Sequence, residues 1–299
     1  MKVSFRSLFA ASIVCAGYGS HASPLFARVF NSTACPSAPS FYSCENTTPI
    51  GNTCCSPTPG GLVLVTQFWS TWTGLEDAGQ YLPSGSWGIH GLWPDNCDGS
   101  FDSYCDLSRQ YDPRPSPRVL PDGTPVPAYT GPGIDTFITD LGRNDLLAEM
   151  NKYWVNQGAP NPRFWAREFS KHGTCMSTFD VACYSNYQQH EDVINFFDTA
   201  VSAFKNYPTY DWLAASGITP SNDTTYPLAN IQGALTAKAG AIPYLGCSNR
   251  GSSLSEVRYF THVLGPVQSG NFKGIDSTLQ SNCQAGVFYY QRSPGSESS

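Results

Sequence analysis

Charge is scarce in this chain: Asp, Glu, Lys and Arg together make up 13% of it. The few charges lean acidic, to a formal net charge of −6, and removing the N-terminal Lys2 and Arg6 makes the balance more negative still. Tight non-specific nucleic-acid binding, which rests on many phosphate contacts, is thereby disfavoured. Transient engagement of a polyanion is not, least of all at acidic pH, where carboxylates begin to neutralise. Beyond the N-terminal segment no apolar run approaches the roughly 20 residues that a membrane-spanning helix needs. No C-x-x-C pair occurs, and adjacent or scattered cysteines do not readily form a tetrahedral zinc site. A phosphohistidine motif, a carboxylate–histidine metal cluster and an internal repeat are also missing, which argues against an acid phosphatase or a metal phosphodiesterase.

What is present begins with a leader. Lys2 and Arg6 precede an apolar run from Leu8 to Ala16 and then Ser20-His21-Ala22, the pattern of a secretory signal peptide spanning residues 1–22. A secreted, extracellular protein is expected, with a vacuolar or lysosome-like compartment as the alternative destination. Of eleven cysteines, Cys15 leaves with the leader. The even set that remains implies disulfides, whose connectivity the sequence alone leaves open. Asn31, Asn46 and Asn222 head N-x-S/T sequons, the acceptors of N-glycans on an exported chain.

Residues 23–60 read as an irregular, disulfide-held lead-in. Gly61–Trp69, GLVLVTQFW, is the strongest strand pattern, β-branched and buried. Residues 106–133 are proline-rich and form a long surface loop. One helix is expected over 134–154 and a second up to Lys171. Further helices are expected over 190–207, 212–215 and 228–239, with strands over 254–264 and 287–290. The tail 293–299 should be disordered, and residues 23–292 are expected to form one domain.

Two segments carry the chemistry. FWAREFSKHGTC, Phe164–Cys175, holds Glu168, Lys171 and His172 within five positions. On a helix Glu168 and His172 stack at i and i+4, Trp165 and Phe169 anchor the neighbouring stripe, and Gly173 ends the helix. A carboxylate raises the proton affinity of an imidazole beside it, and a lysine next door attracts an anion. The second segment, SWGIHGLWPDNCDGSF, Ser86–Phe101, alternates as a strand up to His90 and then turns. His90, Trp93 and Phe101 suit a phosphate with a stacked base. Either segment alone reads as ordinary structure. Together they point to proton transfer at a phosphate. His190 and His262 read as structural, and Glu256 as a strand-surface carboxylate.

In this order, HGLWP and FWxxEFxKHGTC closely resemble the two active-site segments of the ribonuclease T2 family, the secreted acid transferase-type ribonucleases, and the similarity runs from about Cys35 to Tyr290. The resemblance implies an α+β fold, a central antiparallel sheet packed with several helices. It also implies the disulfides Cys35–Cys55, Cys44–Cys97, Cys54–Cys183, Cys105–Cys175 and Cys247–Cys283. The implied activity is endonucleolytic cleavage of single-stranded RNA to 2′,3′-cyclic phosphates and then, slowly, to 3′-phosphates. It needs no cofactor or metal, does not attack DNA, and is carried by a monomer away from membranes. His172 is the implied base and His90 the implied acid, with Lys171 and Glu168 stabilising the phosphorane. Trp93, Asp95 and Phe101 are the implied base-binding residues. Arg167 stands where many members have a third histidine, and Phe101 where relatives have tyrosine. Retained phosphate contact with an altered pH dependence follows from the first, and ring stacking without a hydroxyl from the second. A catalytically idle relative would have lost one of the two histidines, and both are present.

Overall fold

The computed structural model describes residues 35, 39–46 and 50–298; the leader 1–22 and Asn31 lie outside the described residues. Strand β1 (Leu62–Phe68) is buried from end to end except at Phe68. It pairs antiparallel with β2 (Gly88–Asp95) on one side and with β5 (Ser253–Val263) on the other. Strands β4 (Tyr244–Ser248) and β6 (Phe272–Ile275) also pair antiparallel with β5. Strand β7 (Gly286–Phe288) joins β5 through one parallel pair, Ser253 with Phe288, and carries β3 (Thr225–Pro227) on its far edge. The sheet is therefore antiparallel apart from that junction.

Strand alternation divides the labour between its faces. Val63 and Val65 point into the main core, where α1 (Ile134–Asp140), α2 (Asn144–Tyr153), α3 (Asn161–Lys171) and α4 (Glu191–Lys205) contribute Phe137, Met150, Phe169 and Phe197. Leu62 and Leu64 point the other way, into a small cluster with Phe260, against which Trp93 and Tyr244 pack. Helices α5 (Thr209–Ala214) and α6 (Leu228–Ala239) complete the helical layer.

The single helix expected over 134–154 is two, parted at Gly142, whose φ of +71° interrupts the helical path. The chain does not turn after His90. Strand β2 continues to Asp95 as the outermost strand beside β1, an edge position where Pro94 removes no needed hydrogen bond. Residues 293–298 of the expected tail are held, not disordered. Leu82 donates from its backbone N–H to Ser296 O at 2.7 Å and accepts from Ser298 N at 2.9 Å, and Ser296 is buried. The small, polar residues that suggest a loose end suit backbone pairing equally well.

Five disulfides join Cys35 to Cys55, Cys44 to Cys97, Cys54 to Cys183, Cys105 to Cys175 and Cys247 to Cys283. Two of them pin the ends of the segments just described, Cys97 after β2 and Cys175 after α3.

Candidate active site

His90 owes its position to a bulge. Thr66 pairs with Gly91 and the next residue, Gln67, pairs with Ile89, so His90 is the extra residue opposite β1. A bulge re-aims side chains. Without it His90 and Trp93, three apart on a strand, would face opposite sides of the sheet. With it, Ile89 and Leu92 enter the main core, while His90 and Trp93 meet edge to face with ring centroids 4.5 Å apart. Phe68 stacks on the His90 ring at 3.5 Å, and Phe164 lies 5.7 Å away.

Helix α3 supplies the facing groups. Trp165 and Phe169 are fully buried, and Trp165 Nε1 donates to Trp154 O at 2.8 Å, which fixes the helix against the core. Glu168 then lies at the cavity, where its Oε2 accepts from Trp93 Nε1 at 2.8 Å. His172 caps the helix, its N–H bonded to Glu168 O at 3.1 Å, and its ring stacks on Trp93 at 4.9 Å. Both imidazoles thus rest on one indole. Gly173 ends the helix without a left-handed turn. A side chain is excluded there because its Cβ would lie 2.8 Å from the Phe169 ring.

Glu256 is a site residue that the sequence did not reveal. Its Oε1 lies 3.0 Å from His90 Nδ1 and its Oε2 2.8 Å from Arg258 Nη2. Arg258 in turn lies over the Trp93 ring at 5.0 Å. Register places them: Phe68 pairs with Glu256 and Thr66 with Arg258 on β5, on the same sheet face as Trp93. Two charged residues alternating on the central strand of a sheet were the available signal, since a buried strand seldom carries them without use.

Electrostatics separates the titrating groups. Burial lowers the proton affinity of His172 well below that of a free histidine, and Lys171, His90 and Arg258 add to the effect. Burial also lowers His90, but the Glu256 carboxylate opposes it. Burial pushes Glu168 up to about 8, against the opposing pull of the Trp93 hydrogen bond and Lys171. Asp95 is raised to about 6, again by burial.

A cavity of about 620 Å³ is lined by His90, Trp93, Asp95, Phe101, Arg167, Glu168, Lys171 and His172 together. Asn156, Gln157 and Phe164 also line it. Phe101 is 63% exposed at the rim, open to stack on a ring. Arg167 is exposed and only loosely paired with Asp112, Nε to Oδ2 3.7 Å. His190 stacks on Phe137 at 3.6 Å and His262 lies 3.7 Å from Glu45, both away from this cavity. Among the described residues no group of three or more His, Cys, Asp or Glu side chains could hold a metal ion, and no helix is long and apolar enough to cross a membrane.

Residues 60–283 match the model of the Ribonuclease T2 family. The chain belongs to that family. It is 42% identical over 259 residues to Ribonuclease Trv of Hypocrea rufa, covering 86% of this chain and 98% of that one. It is 36% identical over 263 residues to Ribonuclease T2 of Aspergillus oryzae, covering 88% and 85%. The crystal structure of Actibind, a T2 ribonuclease, superposes with a TM-score of 0.72 at 34% identity, over 86% of this chain and 99% of that one. This T2 ribonuclease is accordingly an RNA endonuclease with the family's α+β fold.

Proposed function

We propose that this ribonuclease cleaves single-stranded RNA by transphosphorylation. His172 takes the proton from the ribose 2′-OH. The 2′-oxygen bonds to phosphorus, the bond from phosphorus to the 5′-oxygen breaks, and His90 gives its proton to that leaving oxygen. The products are a 2′,3′-cyclic phosphate and a free 5′-OH. Water then attacks the cyclic phosphate with the two imidazoles in exchanged roles and leaves a 3′-phosphate. DNA, without the 2′-OH, is not a substrate.

One observation carries the assignment of roles. The two histidines share the Trp93 indole and both lie near Lys171 and Arg258, but His90 alone has a carboxylate partner, Glu256. His172, buried and with no carboxylate to offset Lys171 and Arg258, is held well below the ordinary histidine range and suits a base. His90, hydrogen-bonded to Glu256, suits the acid. General acid–base steps of this kind supply on the order of 10²–10⁴-fold each. Glu168, protonated below about 8, donates a hydrogen bond to a phosphoryl oxygen while Lys171 neutralises the growing charge. Trp93, Asp95 and Phe101 hold the base of the nucleotide that bears the attacking 2′-OH. The leader pattern supports secretion, and Asn46 and Asn222 are exposed, as glycan attachment requires.

Incubating a dinucleoside monophosphate in excess chelator and identifying the new terminus tests the reading. A 2′,3′-cyclic phosphate is expected first. Direct appearance of a 5′-phosphate, or activity only with added metal, would refute it.

A further inference from the structure

Beside the catalytic cavity lies a second cleft of about 220 Å³, lined by Arg114, Arg163, Arg167, Asp112, Asn156 and Phe164 among others. It shares Asn156, Gln157, Phe164 and Arg167 with the first, so the two adjoin. Three guanidinium groups in one cleft are unexpected on a chain with a net charge of −6. Arg114 and Arg163 are exposed, and no described carboxylate lies within ion-pair distance of either. Asp112 is the one carboxylate on the wall, and its oxygens are engaged: Oδ2 accepts from Tyr104 Oη at 2.9 Å and Oδ1 from Arg114 N at 2.8 Å. Its weak contact with Arg167 leaves the cleft cationic.

We propose that this cleft is a subsite for the RNA phosphodiester that follows the scissile one on its 3′ side. The inference rests on the acid and base roles proposed above, because they set the strand's direction. Both imidazoles contact Trp93, so the side of the attacking nucleotide is set by its proposed base site at Asp95 and Phe101. His90, the acid, is packed by Phe68 and Phe164, so the leaving nucleotide lies on the Phe164 side. Phe164 also lines the arginine cleft. Arg163, Arg167 and Lys171 follow each other at i, i+4 and i+8 on one face of α3, about 6 Å apart along its axis. They form a ladder of cations leading away from the reacting phosphorus. Arginine holds phosphate bidentately at any pH.

The test compares three substrates of one base sequence: a dinucleoside monophosphate, the same with a 3′-phosphate, and the same with a 5′-phosphate. The 3′-phosphate is expected to raise kcat/KM about tenfold, as charge-assisted pairing to two guanidinium groups allows, and the gain should fade with rising salt. In the double variant Arg114→Gln, Arg163→Gln the ratio of 3′-phosphorylated to plain substrate should fall to about one. Each protein supplies its own reference rate, so a poorly folded variant does not distort the ratio. The subsite is refuted if the wild-type ratio is already near one, if the 5′-phosphate brings the gain, or if the double variant keeps it. Absence of a cyclic product from the plain dinucleotide would instead refute the acid–base reading itself.

Discussion

Replacing Glu256 by glutamine removes the negative charge beside His90 and keeps the shape of the contact. In the native site Glu256 Oε1 lies 3.0 Å from His90 Nδ1, and it is the main influence opposing burial at that ring. An opposite charge at such a distance is worth about 1–3 pKa units. Arg258 already shares this carboxylate through its other oxygen, so the lower end of that range applies, roughly one unit or 1.4 kcal/mol. As the proposed general acid, His90 would act in its protonated form, and its titration would set the alkaline limb of the pH profile of kcat/KM. In Glu256→Gln that limb should move about one unit toward acid, with a loss of about tenfold at pH values above it and little change on the acid side. The assay is initial-rate cleavage of a dinucleoside monophosphate at constant ionic strength, with a thermal melt to check folding. Movement of the acid limb instead, or a uniform loss at every pH, would refute the pairing of Glu256 with the catalytic acid.

Gly91→Ala tests the close approach of β2 to α3. The new Cβ would overlap Glu168 Oε2 and lie 2.6 Å from Trp93 Nε1, so the bond between those two groups must break. A fall in kcat/KM of at least about tenfold is expected, with about 1–3 kcal/mol of stability lost by urea titration. Glu168→Gln should change how stability depends on pH. The folded pKa of about 8 lies above the reference 4.5, so the native protein holds the extra proton between those values. Its favourable contribution is complete below about 4.5 and is lost as pH rises toward 8. The variant, which cannot ionise there, should therefore gain stability relative to the native protein as pH rises through that window, and a constant difference would contradict the buried, neutral carboxyl. Arg167→His should make KM rise with pH through the histidine range near about 6.5, whereas the native KM should not; parallel curves would remove Arg167 from phosphate binding. Truncation after Arg292 should lower the thermal midpoint by several degrees, as loss of a few net hydrogen bonds of about 1 kcal/mol each predicts. An unchanged melt would mean that the tail adds nothing.

Much of the site is legible in the sequence because it is local. Glu168, Lys171 and His172 lie within a turn and a half of one helix, and apolar Trp165 and Phe169 fix which way it faces. Trp93 and Asp95 alternate on one strand and so share a face. Glu256 and Arg258 escaped because only the pairing of β1 with β5 brings them to His90, and register between strands distant in the chain leaves no trace in local pattern. The bulge was hidden for a similar reason. Alternation through Trp87 and Ile89 sets the strand, but a single extra residue changes the face of everything beyond it. The expected turn after His90 followed from reading Gly91 and Pro94 as breakers. Gly91 is instead the space that Glu168 occupies, and Pro94 is tolerated at a sheet edge. The same reasoning read one helix across Gly142, where the apolar spacing continues although the backbone does not.

The roles of the two histidines are tested most directly with a dinucleotide whose leaving 5′-oxygen is replaced by sulfur. A thiolate departs without protonation, so that substrate has no need of a general acid but still needs a base. His90→Ala should cleave the sulfur substrate at close to the native rate while losing most of its activity on the oxygen substrate, and His172→Ala should be slow on both. Equal impairment of His90→Ala on the two substrates, or rescue of His172→Ala in its place, would contradict the assignment.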